Sequence, residues 1–149
     1  MNTTFAQLNA VQNHSIPALM NTPGAAYADS VRVDLPHCSL LYISGKTGIR
    51  DGKLVGRSMT DQARQVLENL RASLEQHGGT LADIVRLRIY TTQLDSESIR
   101  ELHAVRREFF PEGRFPASTL VKIDQLVHDG GVVEMEADVV LTPRQSANA

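Results

Sequence analysis

Three acidic side chains stand at every second position near the carboxyl end of the chain: Glu134, Glu136 and Asp138. This spacing places them on one face of a β-strand. In a partly desolvated cleft, a carboxylate can orient or deprotonate a water molecule, or return a proton to a leaving group. The stretch Arg114–Ala137 leads into this strand and predicts a strand, a turn and a second strand. We expect any chemistry to lie where the first strand begins beside the acidic face of the second.

The two strands of this stretch are predicted from alternation of side chains. The first covers 119–123 and places Leu120 and Lys122 on the face opposite Thr119. The second covers 132–141, with apolar side chains on one face and the three acidic ones on the other. Ser118 and Thr119 bring hydroxyl groups to the start of the first strand, where they can bind a ligand or supply ordinary strand polarity.

The elements before this stretch also follow from periodicity. Residues 30–34 and 40–44 alternate as the strands of a hairpin, and a further short strand is predicted near 53–55. A capping box from Ser58 to Asp61 starts a helix whose apolar stripe ends at Gly78-Gly79.

A third long strand and a second helix follow. Residues 84–92 form a strand with Val85, Leu87 and Ile89 on one face, opposite Arg86, Arg88 and Tyr90. The second helix begins at 95 or 96 and ends before Pro111, which cannot continue it. Its predicted apolar stripe is Ile99, Leu102, Val105 and Phe109. The predicted order is therefore β-β-α-β-α-β-β, an α+β domain.

Two helices can cover only one face of such a sheet. The other face mixes charged with apolar side chains: Arg86, Arg88, Tyr90, Glu134, Glu136, Asp138, Leu120, Val132 and Val140. This mixture is too apolar for an ordinary solvent face and too charged for a monomer core. We therefore predict that it packs against other copies of the chain, with opposite charges paired across strands. The alternative is a solvated face with scattered aliphatic side chains.

Size and composition indicate one ordinary globular domain. The 149 residues are 42% hydrophobic and 21% charged, and the predicted core covers 26–142. Residues 1–25, broken by Pro17 and Pro23, are interpreted as an arm, and 143–149 as a tail. No apolar run approaches the roughly 20 residues needed to cross a membrane, and no signal peptide is recognisable.

Charge and cysteine content narrow the functional classes. A net charge of -2 offers no basic field for nucleic acid. Cys38 is the single cysteine, so there is no internal disulfide, which suits a reducing compartment and a cytoplasmic location. No Cys/His cluster suggests a metal, and Gly45-Lys46-Thr47-Gly48 lacks the upstream glycine and following helix of a phosphate loop. We expect no metal or organic cofactor.

Seven short segments, taken together and in order, resemble the RidA family, also called YjgF/YER057c/UK114. The resemblance covers roughly residues 26–142. The segments are Tyr-x-x-x-Val-x-Val at 27–33, Leu-Tyr-Ile-Ser-Gly at 41–45, Gln-Ala-Arg-Gln-Val-Leu-Glu-Asn-Leu at 62–70, Ala-Asp-Ile-Val-Arg-Leu at 82–87, Glu-Phe-Phe-Pro at 108–111, Phe-Pro-Ala-Ser-Thr at 115–119 and Val-Glu-Met-Glu-Ala at 133–137.

The resemblance implies a chorismate-mutase-like α+β fold, with two helices on one face of a mixed sheet. It also implies a homotrimer that binds small molecules in clefts between subunits. The best-known members hydrolyse reactive enamines or imines, such as 2-aminoacrylate, to a keto acid and ammonia without a metal or organic cofactor. Other members have been labelled ribonucleases or translation inhibitors.

The resemblance also implies site residues and shows a departure. Tyr27, Ser44, Gly45 and Glu134 match the family pattern, but Ser118 stands where active deaminases have an Arg after Pro-Ala. In those members, this Arg binds the substrate carboxylate through two parallel hydrogen bonds. A hydrogen bond to a charged group contributes about 1.5–3 kcal/mol. Since each ~1.4 kcal/mol is tenfold in affinity, its loss predicts about one to two orders of magnitude weaker carboxylate binding.

Two further positions depart from the pattern. Leu120 replaces a frequent Cys, and His103 replaces an Asn that some members carry on the second helix. His103 can act as an acid or base near neutral pH, or simply be solvated. Arg114, four residues before Ser118, or an Arg of a neighbouring subunit can compensate for the missing charge.

The main catalytic candidates also have structural interpretations. Glu134 is either a general acid or base, or a cross-strand partner of Arg86 or Arg88. Tyr27 either donates a hydrogen bond in the cleft or packs beside a strand. The leading hypothesis is a RidA-like enamine or imine deaminase, and the rival is a non-catalytic ligand-binding or regulatory trimer. A ribonuclease has little support in the charge distribution.

Overall fold

The computed structural model describes residues 11–14 and 26–143. Most of the predicted amino-terminal arm, 1–25, lies outside these residues, as does the predicted tail from 144 onward. The exception in the arm is a short strand at 11–14, which pairs with the strand at 30–34. Elements within the described residues are β1 Val11–His14, β2 Ser30–Asp34, β3 Ser39–Thr47, β4 Ile49–Arg50, β5 Lys53–Leu54, α1 Met59–Glu75, β6 Ile84–Thr91, α2 Ser96–Phe109, β7 Ala117–Lys122 and β8 Val133–Leu141.

Six of these strands form one mixed sheet in the order β1-β2-β3-β8-β6-β7. The β6–β7 pair is parallel, and the other neighbours are antiparallel. The predicted β2–β3 hairpin is confirmed. The predicted short strand near 53–55 is confirmed as β5, which pairs with β4 in a separate two-stranded sheet. The predicted α+β class and the two helices on one face of a mixed sheet are confirmed.

Both helices begin and end where the sequence predicts. The Ser58 hydroxyl accepts a hydrogen bond from the Asp61 amide at 3.1 Å, which caps α1. Beyond its last turn, Gly78 adopts φ 71°, a left-handed conformation that glycine reaches without steric cost. The Asp95 carboxylate caps α2 by accepting from the Glu97 and Ser98 amides. Neither helix is long and apolar enough to span a membrane.

The helices pack their apolar stripes against one face of the sheet. Leu102 and Val105 of α2 are buried as predicted, while Ile99 and Phe109 are only half-buried. Phe110 is buried more deeply because the helix ends at this residue and the backbone becomes extended. Core residues contributed by α1, β3, β6 and β8 include Leu41, Ile43, Ala63, Val66, Leu67, Leu70, Leu74, Leu87, Ile89, Val133, Met135, Ala137 and Val139.

The predicted core position of Val85 is wrong. Val85 is 47% exposed, whereas its neighbour Ile84 is only 5% exposed and belongs to the core. The pairing of β6 with β8 shifts register between Ile84 and Arg86. Such a bulge adds a residue to one strand and breaks the alternation of faces, which a strict two-residue period cannot anticipate.

The prediction is also wrong for two apolar residues that it placed on the face away from the helices. Leu120 aligns with buried Ile89 in the parallel β6–β7 pair and packs against the helix-side core. Val132 precedes the first residue of β8 and is buried in the same core. In contrast, Val140 does face away from the helices, opposite Leu40. The relative register of β7 and β8 decides these placements, and it depends on pairing with β6.

The open face of the sheet keeps the predicted mixture of charged and apolar side chains. Arg88 donates to Glu136 at 3.0 Å and to Asp138 at 2.9 Å, so opposite charges pair across strands. Apolar side chains beside this cluster are Val31, Val33, Leu40, Tyr42, Val121 and Val140. Tyr42 and Val121 are largely exposed in the single chain.

A buried ion pair lies between the sheet and α1. The side chains of Lys46 and Asp29 are 2% and 0% exposed, and Lys46 Nζ donates to Asp29 Oδ1. The Ser73 hydroxyl of α1 donates to the other oxygen of Asp29 at 2.9 Å. Burial lowers the pKa of Lys46, and Asp29 opposes that shift. The pair, together with Ser73, joins the segment before β2, the end of β3 and α1.

We predict that Lys46→Met lowers the free energy of unfolding by about 3–5 kcal/mol, because it leaves the Asp29 carboxylate buried without its cation. Urea denaturation measures this loss. The double variant Lys46→Met/Asp29→Asn should recover part of it, since no unpaired charge then remains. Lys53→Met, at an exposed position of β5, is the control and should stay within about 0.5 kcal/mol of the wild type. A single variant as stable as the wild type would contradict this role.

Candidate functional site

Four predicted site residues line one cavity of about 250 Å³: Tyr27, Ser44, Gly45 and Glu134. This volume lies just below the range of about 300–1,000 Å³ that is typical of pockets for drug-sized ligands, so it suits a small molecule. Three further residues, Thr47, Val127 and His128, complete the lining. The structure thus brings together residues from three separate segments of the sequence, around 27, 44–45 and 134.

A bulge in β3 positions Ser44 and Gly45. The β3–β8 register shifts between Ile43 and Lys46, which takes the two residues out of regular pairing. The Ser44 hydroxyl donates to the Ala28 carbonyl at 2.7 Å, and its amide donates to the Asp29 carbonyl at 3.0 Å. These bonds fix the bulge to the segment that carries Tyr27.

Gly45 allows the Glu134 carboxyl group to lie directly against the backbone of this bulge. A Cβ atom at position 45 would be 1.9 Å from Glu134 Oε1 and 2.8 Å from the carboxyl carbon. Both distances are far below van der Waals contact, so an alanine would force the carboxyl group to move. The glycine is needed here for close approach, not for an unusual φ.

The Glu134 carboxyl group is set apart from the charge pairs of the open face. Burial raises its pKa, and the nearby Glu136 carboxylate raises it further. Arg88 pairs with Glu136 and Asp138, and Arg86 Nε lies 4.0 Å from Asp138. The two arginines therefore pair with carboxylates other than Glu134. A carboxyl group with a raised pKa exchanges protons closer to neutral pH.

The sequence interpretation missed Val127 and His128, which reach the cavity from the loop between β7 and β8. Within the described residues, the buried His128 Nε2 has no hydrogen-bond partner. The buried Gln62 side chain of α1 holds this loop: it donates to the Gly130 carbonyl at 2.9 Å and accepts from the Val132 amide at 2.8 Å. Side chains in a loop follow no regular period, so the sequence does not predict which of them reach a cavity. The available signal for this site was His128 itself, which lies just before the turn residues Gly130-Gly131.

His103 lies elsewhere, in a second cavity of about 260 Å³ that it shares with Arg106, Arg107 and Phe115. Burial lowers the pKa of His103, and the positive charges of Arg106 and Arg107 lower it further. Neutral imidazole is therefore favoured at this position. The cavity formed under α2 is basic, in contrast to the cavity that contains Glu134.

The remaining predicted residues lie along the edge strand β7 or just before it. Ser118 aligns with Leu87 and Thr119 with Arg88, so these two exposed side chains point to opposite faces of the sheet. Arg114 is exposed in a turn, where its amide donates to the Pro111 carbonyl at 3.0 Å. None of the three lines the Glu134 cavity. Within one chain, the predicted residues thus form separate groups.

Metal-binding side chains do not cluster in this region or elsewhere in 11–14 and 26–143: no group of three or more His, Cys, Asp or Glu residues is placed to hold an ion. Cys38 is half-buried and lines a third cavity of about 410 Å³ with His37 and His77, away from Glu134. The chemical groups in the Glu134 cavity are a carboxyl group, which can perform acid–base chemistry, and the hydroxyl groups of Tyr27 and Ser44.

Two helices on one face of a six-stranded mixed sheet, with a carboxyl-containing cavity at a strand bulge, define a small α+β protein of a recognisable class. The family model described as endoribonuclease L-PSP matches residues 19–141. The chain belongs to this family, the RidA or YjgF/YER057c/UK114 family. The resemblance found in the sequence segments is confirmed.

Individual relatives agree with this assignment. A RutC family protein of Pyrococcus horikoshii is 34% identical over 101 residues, which cover 66% of this chain and 77% of the relative. A 2-iminobutanoate/2-iminopropanoate deaminase of Dermatophagoides farinae is 28% identical over 121 residues, or 80% and 88% of the two chains. The crystal structure of Rv2704 from Mycobacterium tuberculosis, a YjgF/YER057c/UK114 member, superimposes with a TM-score of 0.71 at 30% identity, covering 89% of this chain and 100% of that one.

We predict that Gly45→Ala expels the Glu134 carboxyl group from its position against the bulge and returns its pKa toward the ordinary value. Carbon-13 NMR titration of the Glu134 carboxyl measures this change. Gly52→Ala is the control, because Gly52 has φ 74° and no heavy atom lies within 4 Å of the position that an alanine Cβ would take. It should cost about 1–2 kcal/mol through its left-handed backbone but leave Glu134 unaffected. An unchanged Glu134 pKa in Gly45→Ala would refute the close-contact argument.

We further predict that Glu134→Gln stabilises the folded protein at pH 7. The folded state raises the pKa of Glu134, so ionising this carboxyl above its folded pKa costs stability. The neutral amide avoids that cost, and its advantage should disappear as pH falls through the unfolded value, where both states are protonated. Thermal unfolding at pH 7 and pH 4 measures the difference. An advantage that is the same at both pH values would show that it does not come from ionisation.

Proposed function

We propose that this chain is an enamine or imine deaminase, which hydrolyses a small reactive imine to a carbonyl compound and ammonia. The observation that carries the proposal is the Glu134 carboxyl group, whose pKa burial raises, in a small cavity with Tyr27, Ser44 and Gly45. Membership of the RidA family supports it, as does the relative named as a 2-iminobutanoate/2-iminopropanoate deaminase. Neither a metal nor an organic cofactor is required for this reaction.

The reaction needs two proton relays from oxygen to nitrogen, and one carboxyl group can perform both. Ionised Glu134 takes a proton from a water molecule as the water oxygen bonds to the imine carbon, and it delivers this proton to the imine nitrogen. It then takes the hydroxyl proton of the resulting carbinolamine and delivers it to the amino nitrogen, so that ammonia leaves as the C–N bond breaks and the carbonyl forms. Water and imine are consumed, and ammonia and the carbonyl compound are released. An enamine enters the same sequence after its β-carbon takes up a proton.

The neighbouring polar groups have distinct roles in this proposal. The Ser44 hydroxyl uses its one hydrogen to bond the Ala28 carbonyl, so its oxygen is left to accept a hydrogen bond from the substrate nitrogen. The Tyr27 hydroxyl can donate a hydrogen bond to the oxygen atom that becomes the carbonyl oxygen of the product. His128 is the additional proton carrier, because its buried Nε2 faces no partner in the described residues.

The proposal includes a homotrimer with clefts between its subunits. Exposed Tyr42 and Val121 on the open face, together with the half-buried Val31, Val33, Leu40 and Val140, support burial against other copies. Assembly would also give Ser118, Thr119, Arg114 and His103 a route to the Glu134 cavity, which they do not reach within one chain. Light scattering should then report three times the chain mass of 16.4 kDa.

A non-catalytic ligand-binding trimer is the second candidate, and Ser118 is the observation that favours it. The uncharged hydroxyl cannot make the two-pronged contact with a carboxylate that a guanidinium makes. This candidate predicts that metabolites bind in the cleft without turnover.

We predict that the purified protein accelerates hydrolysis of imines generated in situ, including 2-iminopropionate, and that Glu134→Gln lowers kcat by about 100-fold or more. Ammonia release or trapping of the residual imine measures the rate. Glu112→Gln, at an exposed turn, makes the same chemical change away from the cavity and should be as active as the wild type. If no imine with or without a carboxylate is hydrolysed above background, the deaminase proposal fails and the binding trimer is favoured.

A further inference from the structure

The basic α2 cavity contains a buried cation, Arg106, for which the described residues supply no salt bridge. Arg106 is only 7% exposed, and its Nε atom is buried without a hydrogen-bond partner in the described part of the chain. Arg107, His103 and Phe115 form the rest of the lining. A buried guanidinium is normally paired with an acidic group or hydrogen-bonded, because removing a charge from water is costly. A buried guanidinium whose Nε has no partner, beside an open cavity, therefore indicates a place for an anion.

Electrostatics around this cavity agree with that interpretation. Burial lowers the pKa of Arg106, and no neighbouring carboxylate is among the causes to offset it. The positive charges of Arg106 and Arg107 also oppose protonation of His103. By comparison, Arg64 pairs with Glu108 at 2.8 Å, and Arg88 pairs with Asp138 at 2.9 Å. The chain thus has acidic partners for other arginines and leaves the α2 cavity positive.

The cavity also lies at the strand end where the family pattern places its carboxylate-binding Arg. Phe115 of the lining is three residues before Ser118, and extended chain rises about 3.3 Å per residue. The backbone of Phe115 therefore lies within roughly 10 Å of the Ser118 backbone. The positive charge that is missing at Ser118 is available on the neighbouring helix.

We propose that Arg106 and Arg107 bind the carboxylate of a small anionic substrate in the α2 cavity, in place of the missing strand arginine. The proposal rests on the deaminase function only for the identity of the ligand as a substrate, and binding of a small carboxylate at this site can be measured without turnover. The two guanidinium groups supply the charged donors, neutral His103 adds a further polar contact, and the Phe115 ring covers the short apolar part of the ligand.

Calorimetric titration with 2-oxobutanoate, a stable keto acid, tests the site without requiring turnover. Arg107→Gln should weaken binding by about 10- to 100-fold, since a charged hydrogen bond contributes about 1.5–3 kcal/mol. Arg106→Gln should weaken binding at least as much. Arg106→Lys keeps the buried positive charge and should retain more binding than Arg106→Gln, which separates loss of charge from a folding defect. Arg100→Gln, nearly two turns earlier on α2 and outside the cavity lining, makes the same charge change and should leave binding unaltered.

The neutral analogue 2-butanone separates recognition of charge from recognition of shape, and its binding should not respond to any of the arginine variants. Failure of the wild type to bind 2-oxobutanoate, or equal binding by Arg107→Gln and the wild type, would overturn the proposed carboxylate site. If the arginine variants alter the oligomeric mass and leave keto-acid affinity unchanged, a carboxylate of a neighbouring copy occupies the cavity and the proposal is also overturned.

The two proposals fail separately. Arginine-dependent keto-acid binding without hydrolysis of 2-iminopropionate would support the anion site and refute the deaminase. Hydrolysis of 2-iminopropionate with a KM that Arg107→Gln does not change would support the deaminase and refute the anion site.

Discussion

The buried pair of Lys46 and Asp29 is the interaction on which the geometry of the Glu134 cavity depends. Lys46 directly follows Gly45, and Asp29 lies two residues after Tyr27. The pair therefore fixes both chain segments at the cavity, and Ser73 joins them to α1. Two charges out of water contribute little net stability, but removing one leaves the other uncompensated. The pair thus acts more as a specifier of the β3 bulge than as a source of stability.

The bulge in turn creates the unusual environment of Glu134. Regular alternation in β8 places this side chain on the same face as Glu136 and Asp138. Because β3 bulges beside it, its carboxyl group lies against the backbone of Gly45, and burial raises its pKa. The buried ion pair holds the bulge, and the bulge and its glycine hold the Glu134 carboxyl group. Together they give Glu134 an environment that differs from those of Glu136 and Asp138. The separated carboxyl group is the one whose raised pKa lets it exchange protons closer to neutral pH than an ordinary carboxyl group does.

Local sequence signals were sufficient for most elements and for four of the seven residues that line the Glu134 cavity. The caps at Ser58 and Asp95 fixed the helix starts, and the segments that resemble the family identified Tyr27, Ser44, Gly45 and Glu134. What could not be predicted depends on pairing between distant segments. A bulge exposed Val85, parallel pairing with β6 turned Leu120 inward, and a loop without periodicity carried His128 to the cavity. Each of these outcomes follows from contacts that a single segment does not encode.

The separation of acidic and basic groups within one chain has a chemical consequence under the two proposals. A guanidinium beside Glu134 would form an ion pair with it and lower the pKa of the carboxyl group. Such a pair would weaken Glu134 as a proton carrier and would use up the cation needed for a substrate carboxylate. Arg106 and Arg107 line a different cavity from Glu134, so each group keeps its charge available. A substrate held between neighbouring copies would then meet a cation and a carboxyl group that never neutralise each other in the isolated chain.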